Sequence, residues 1–338
     1  MIKFIKPNKL NIGDIVTTVS LSGGRAGDSD MLDRYYIGKQ RLEKIFGLKV
    51  VEMENSLKGN DYLYRNPKAR ADDFMEALEK NEIKGIFLNM GGDDGIRILP
   101  YINFDIIKNN PKVFIGFSDG DTFHKMFTYS GITSFYGANL LATIAEPCNL
   151  NPYTIKWIKK ALFSTDPIGL LEPCERWVNI DWKSTKEEEL VWTKSDGYKV
   201  YQGTGKVNGH IIACCSGPLK LMLGTYLFPS PDLWKNSVIF IEEGAAYGIK
   251  LAGIHSMRAF AATGMFKYAK ALVLPTIPKE DIEEIIIKVL REEGLTNLPV
   301  ISGLEFSHKN PMIVLPNGVD VEIDCDNASI TILESGVK

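Results

Sequence analysis

The sequence predicts an α/β fold built around a parallel sheet, on three observations. Short apolar runs alternate with stretches of helical period through the first half; two successive runs end in glycine-rich turns; and 45% of the 338 residues are apolar, enough for a large buried core. That length exceeds what one compact domain needs, so two domains are expected.

Ile15–Val19 reads as the first strand and runs into a Ser/Gly-rich turn at 20–30. A helical apolar period follows at 34–46, then a strand at 48–51. Residues 66–81 read as a helix, with Pro67 near its start and Ala71, Phe74, Met75 and Leu78 at helical spacing. The buried strand 85–89 leads into Met90-Gly91-Gly92-Asp93-Asp94-Gly95 and a helical stretch through Ile98 and Leu99. The run Val113-Phe114-Ile115 is the next strand. The texture changes after about residue 160, where a Pro/Gly/Ser-bearing connection at 162–173 precedes a polar, tryptophan-containing stretch at 177–192. The expected division is therefore 1–167 and 168–338. Beyond it, strands or hairpins are expected at 203–212, 237–241, 271–274 and 298–301, and helices at 220–226, 254–262 and 282–293. No internal repeat or low-complexity tract is visible.

Charge and cysteine content narrow the class. Lys and Arg number 39 against 42 Asp and Glu, a formal charge of -3, and no segment concentrates basic residues with aromatics, so nucleic acid is not an expected partner. Lys3, Lys6 and Lys9 flank no apolar core of signal-peptide length, and no run approaches a membrane span, which points to a soluble protein of the cytoplasm. Cys148, Cys174, Cys214, Cys215 and Cys325 are odd in number and lack the paired spacing of a zinc site, so reduced thiols and no metal are expected.

The stretch that carries chemistry is Gly116-Phe117-Ser118-Asp119-Gly120, directly after an apolar run. A serine hydroxyl becomes a useful nucleophile when a sharp strand-to-helix turn presents it to a base and to backbone amides, and the flanking glycines are expected to let the chain make that turn. A plain strand end in a Gly/Ser/Asp turn gives the same pattern. In an open parallel sheet ligands bind at the carboxyl ends of strands, which brings the Gly91-Gly92 turn near Ser118. Of four histidines, His124 falls one or two turns into the helix after the serine, pointing away from the mouth of the elbow, and His210 and His255 sit in regular elements. His308 lies in the turn-rich Phe306-Ser307-His308-Lys309-Asn310-Pro311, where a base is easily presented. The strand at 237–241 stops at Glu242 and Glu243, either of which could orient the imidazole.

Together these residues resemble the serine peptidases that comprise the LD-carboxypeptidases and the microcin C self-immunity peptidases. The resemblance spans almost the whole chain: Asn55-Ser56-Leu57-Lys58-Gly59, Arg70-Ala71-Asp72-Asp73, Asn89-Met90-Gly91-Gly92-Asp93-Asp94, Arg97-Ile98-Leu99-Pro100-Tyr101, Gly116-Phe117-Ser118-Asp119, Ser134-Phe135-Tyr136-Gly137, Phe240-Ile241-Glu242, His308-Lys309-Asn310-Pro311 and Leu315-Pro316-Asn317-Gly318. It implies an N-terminal doubly wound, flavodoxin-like domain and a smaller C-terminal α/β domain with the active site at their interface. It further implies Ser118 as nucleophile, His308 as base, Glu242 as the orienting acid, amides at Gly92 and Asp119 as oxyanion hole, no cofactor, and a homodimer.

The Asn-Ser-Leu-Lys-Gly and Gly-Gly-Asp-Asp segments resemble the microcin-immunity branch, which implies cleavage of an amide in a small peptide or aminoacyl-nucleotide-like substrate; the alternative is a cell-wall muropeptide. Candidate substrate contacts are Asp93, Arg97, which could equally be a surface ion-pair residue, and the tryptophans Trp182 and Trp192. The chain departs from the family at Glu243-Gly244-Ala245-Ala246-Tyr247-Gly248, Ser307, Ala213-Cys214-Cys215-Ser216 and Leu274-Pro275-Thr276. These changes bear on substrate and level of activity, and the first of them motivates a rival of another class, a sequestering protein that kept the scaffold and lost turnover. An α/β-hydrolase esterase shares the elbow and the triad order, but predicts one continuous domain.

Overall fold

The structure is a computed structural model that describes residues 3–147, 149–180, 187–242, 250–277 and 279–338. In chain order its strands are β1 Ile15–Val19, β2 Lys49–Glu52, β3 Ile83–Leu88, β4 Val113–Gly116, β5 Phe135–Tyr136, β6 Gly169–Leu170, β7 Arg176–Asn179, β8 Thr193–Lys194 and β9 Lys199–Gln202. They continue as β10 Lys206–Cys215, β11 Ser237–Glu242, β12 Ala271–Leu274, β13 Val300–Ser302, β14 Lys309–Asn310, β15 Leu315–Pro316, β16 Asp320–Asp324 and β17 Ser329–Ile332.

Among the described residues these strands form three sheets. The first runs β2-β1-β3-β4-β5, all parallel as the alternating pattern predicts, in the doubly wound order that the resemblance implies. Its far edge is closed by β15, which returns from the second half to pair antiparallel with β5, Leu315 opposite Tyr136. The second sheet has a parallel centre, β10-β11-β12-β13, edged by antiparallel β16, β17 and β6 on one side and β9 on the other. The small third sheet joins β14, β7 and β8.

Local sequence explains the elements that flank the first sheet. Leu32–Phe46 buries Tyr35, Gly38, Leu42 and Phe46, one stripe of a helix, and stops at Gly47 in the left-handed region, φ 70°. Pro67–Glu79 begins on proline, where the missing N–H would be unpaired anyway, and buries Arg70, Ala71, Phe74 and Leu78. β4 is buried at all of its residues, as a parallel strand covered on both faces must be. The expected helix at 220–226 instead spans Ser216–Leu221, starting earlier around Pro218, with the chain turning at Gly224, φ 83°. Helices Asn60–Arg65, Phe104–Asn109 and Pro152–Leu162 were not expected; the last two are capped by the side chains of Asn103 and Asn151. No helix among the described residues is long and apolar enough to cross a membrane.

The two large sheets meet across a seam that contains charge. Helix Asp121–Tyr129, which follows the Ser118 turn, carries Asp121 and Lys125 with both side chains fully buried. Lys125 Nζ donates to Asp121 Oδ1 at 2.5 Å and to the carbonyl of Ala213 at 2.9 Å, and the amide of Cys215 donates to Asp121 Oδ2 at 3.2 Å. The helix that presents the serine is thus tied to the end of β10. Asn317 extends the tie by accepting from the Ala213 amide at 2.7 Å while its own amide donates to the Ser134 carbonyl. A buried pair of this kind contributes little relative to apolar packing, but removing one member strands the other charge. Lys125→Met therefore lowers the thermal midpoint by roughly 5–15 °C, and adding Asp121→Asn restores more than half of the loss. A single variant that melts with the wild type would contradict this reading of the seam.

Candidate active site

β4 delivers the chain to Gly116, and Phe117 follows fully extended (φ −149°, ψ −172°), its amide donating to Asn139 Oδ1 at 3.0 Å. Ser118 then takes φ +62°, the left-handed region that a β-carbon disfavours, and helix Asp121–Tyr129 starts three residues on. The strained residue is the serine itself. The glycines have another reason: a Cβ on Gly116 would lie 2.7 Å from Leu88 Cβ, and one on Gly120 would lie 2.8 Å from Leu88 Cδ2. They let the turn close onto β3, so the glycines do allow the turn, by the space they leave.

Ser118 Oγ lies 2.9 Å from His308 Nε2, and His308 Nδ1 lies 2.9 Å from Glu242 Oε2. Glu242 is the last residue of β11 and its side chain is fully buried, while His308 is 28% exposed. Of the acid pair left open by the sequence, Glu242 is the one that reaches the imidazole; Glu243 lies outside the described residues. The His308 and Phe117 rings pack in a T-shaped arrangement with centroids 5.2 Å apart. Burial lowers the His308 pKa, but the charge and hydrogen bond of Glu242 outweigh it and the net shift is upward. An imidazole held this way at Nδ1 can take the hydroxyl proton at Nε2. His124, by contrast, is buried beneath the turn between Ser134 Oγ and the Gly116 carbonyl, each at 2.8 Å, and burial pushes its pKa down to about 3.

The glycine turn after β3 faces the serine, as expected, through Gly91. A Cβ on Gly91 would sit 2.9 Å from Ser118 Oγ and 3.2 Å from the Asp119 amide nitrogen. Gly92 is packed against Ser22 and Gly23, where a Cβ would come within 2.2 Å of Ser22 Oγ. The Asp119 carboxylate turns inward, accepting from Ser22 Oγ at 2.5 Å, Gly95 N at 2.7 Å and Thr122 Oγ1 at 3.2 Å, and burial raises its pKa to about 6. Fully buried Arg70 reaches Asp94 Oδ1 at 2.7 Å and the carbonyls of Leu21 and Ser22, so the turn is fixed from behind as well.

Asp93 is exposed. Arg97 gives its guanidinium to Asp94 Oδ2 and the Tyr64 carbonyl, both at 2.8 Å, and lies over the Tyr64 ring, the ion-pair role that the sequence equally allowed. Trp192 is half-buried with the Arg176 guanidinium 4.3 Å from its ring centroid. Trp182 and the segment 243–249 lie outside the described residues.

Sequence reasoning missed Tyr136 and Asn139. The Tyr136 hydroxyl donates to Glu242 Oε1 and receives the Ser118 amide N–H at 3.4 Å. Its signal was position: it ends the parallel strand next to the one that carries the serine turn, at the sheet edge where ligands bind.

Residues 16–137 match the model for the LD-carboxypeptidase N-terminal domain, and residues 208–323 match that for the LD-carboxypeptidase C-terminal domain. The chain is 27% identical to the microcin C7 self-immunity protein MccF of Escherichia coli, over 89% of this chain and 88% of that protein. It is 24% identical to a protein described as a probable murein peptide carboxypeptidase of Bacillus subtilis, over 98% of this chain and 95% of that one. Among solved structures, an MccF-like protein of Streptococcus pneumoniae in complex with AMP superposes with a TM-score of 0.85 at 26% identity, covering 95% of this chain and 98% of that one. MccF in complex with aspartyl sulfamoyl adenosine gives a TM-score of 0.84 at 25% identity, covering 99% of this chain and 100% of that one. With both domain models matched in order, the chain belongs to the LD-carboxypeptidase family and is a serine peptidase-type hydrolase.

Proposed function

We propose that the chain cleaves an amide next to the C-terminal unit of a small substrate by way of an acyl-enzyme on Ser118. The observation that carries the reading is the continuous contact from Ser118 Oγ through His308 to Glu242, 2.9 Å at each step. In this reading Ser118 Oγ attacks the carbonyl carbon as its proton passes to His308 Nε2. The imidazolium then gives that proton to the leaving nitrogen, and water, deprotonated by His308, releases the acyl group. The oxyanion is held by the Asp119 amide and backbone at Gly92, a role supported by the bare Cα of neighbouring Gly91 facing the hydroxyl.

The substrate is a peptidyl or aminoacyl nucleotide-like molecule. Relatives supply the support, since MccF-like structures hold AMP and aspartyl sulfamoyl adenosine. A muropeptide is the second reading, favoured by the murein carboxypeptidase relative and by the family itself. The proposal includes a division near 167/168, with the nucleophile on the N-terminal side and Glu242 and His308 on the other; the two matched spans fall on either side of it. A homodimer, resting on the resemblance, and a cytoplasmic location complete it.

A fluorophosphonate probe labels the native protein stoichiometrically and fails on Ser118→Ala, whereas an unlabelled native protein would favour the sequestering alternative. His308→Ala loses about three orders of magnitude or more in turnover with a thermal loss smaller than that of Lys125→Met, because water can take the place of a partly exposed imidazole beside Glu242; a loss as large as that of Lys125→Met would make His308 structural.

Because catalysis needs neutral His308 and Glu242 shifts its pKa upward, the acid limb of kcat/KM falls above the ordinary imidazole value of 6.5. A limb below that value would contradict the pairing.

Offered aspartyl sulfamoyl adenosine and a muropeptide that ends in a D-amino acid side by side, the enzyme turns over the first with the higher kcat/KM. The reverse order would move the chain to cell-wall recycling.

A further inference from the structure

The Tyr136 hydroxyl stands between two groups that are each fixed in hydrogen-bonding direction. The Ser118 amide at 3.4 Å can only donate, so the single phenolic proton is left for Glu242 Oε1. That uses one oxygen of Glu242 as acceptor, and the other faces His308 Nδ1 at 2.9 Å. With Glu242 an acceptor at both oxygens, Nδ1 carries the imidazole proton and Nε2 is left to accept from Ser118 Oγ at 2.9 Å. The ring of hydrogen bonds starts on the serine amide and ends on the serine hydroxyl.

Resting on the serine-hydrolase reading, we infer that Tyr136 is a positioning residue: its hydroxyl aims the Glu242 carboxylate and, through it, sets the tautomer and basicity of His308. The surroundings leave little else to titrate. Asp121 is held by Lys125 on the helix Asp121–Tyr129, and its pKa is raised by burial. Cys215 at the end of β10 is kept a thiol by burial, and the neighbouring His124, 5.5 Å from the Tyr136 ring, is neutral. Burial and the charge of Glu242 keep the phenol itself protonated. His308 is therefore the group whose titration reports what the phenol does.

Removing the phenolic donor concentrates the carboxylate charge on its remaining contact, the imidazole, and raises the pKa of His308. Strengthening the donor spreads that charge and lowers it. The test is Tyr136→Phe, which keeps the buried ring, beside Tyr136→3-fluorotyrosine, which keeps the shape and acidifies the hydroxyl. His308 is titrated by NMR, assigned with His308→Ala, and fluorophosphonate inactivation rates are followed against pH. Tyr136→Phe is expected to raise the His308 pKa by about 0.5 unit or more and to slow labelling about 10- to 100-fold, while 3-fluorotyrosine moves the pKa down. Should Tyr136→Phe fold poorly, the fluorotyrosine protein alone decides by the sign of its shift. An unmoved His308 pKa in the variants overturns the inference while leaving Ser118 labelling, and the hydrolase reading, intact. Native protein that resists the probe but shows both shifts removes the nucleophile and keeps the role of Tyr136.

Discussion

A carboxylate without solvent has to be answered by donors, and Glu242 is fully buried at the end of a strand. Its two oxygens are answered by residues far apart in the chain, His308 sixty-six positions later and Tyr136 one hundred and six positions earlier. Meeting that demand requires the carboxyl ends of β5 and β11, strands of different sheets, to arrive at one point. Much of the remaining architecture brings them there. β15 stitches the second half onto β5, and Asp121 with Lys125 ties the serine-bearing helix to the end of β10, the neighbour of β11.

The same convergence explains how a strained serine persists. A β-branch-free side chain at φ +62° is disfavoured by about 1–3 kcal/mol, and the surroundings leave it no alternative. Asn139 fixes the extended residue before it, Leu88 fills the space that either flanking glycine would need for a side chain, and the Asp119 carboxylate anchors the following turn to Ser22 and Gly95. Arg70 and Asp94 brace the glycine turn opposite. Rigid elements on three sides hold one hydroxyl against one imidazole, the kind of preorganisation that acyl transfer uses.

What the sequence disclosed follows the range of each interaction. Periodicity located β1, the helices at 32–46 and 67–79, and the buried strands β3, β4, β11 and β12, because their patterns are local. The serine turn was legible for the same reason. β14 and β15 are two residues long and pair with strands more than a hundred positions away, and β5, equally short, is held between β4 and β15, so no window of sequence contains a strand pattern for them. His308 stood out by its turn-rich setting, Glu242 could not be separated from its neighbour without a family resemblance, and Tyr136 was passed over because nothing near it in sequence announces an acid to bind. Arg97 shows the converse limit: a residue type suited to substrate carboxylates is committed to Asp94 and Tyr64 once the chain folds.

The most direct test of the central claim is a crystal structure of the covalent fluorophosphonate adduct. The account predicts phosphorus bonded to Ser118 Oγ, a phosphoryl oxygen within about 3 Å of the Asp119 amide, and His308 still held by Glu242. An adduct on another side chain, or an imidazole turned away from Ser118 with Glu242 paired elsewhere, would contradict it.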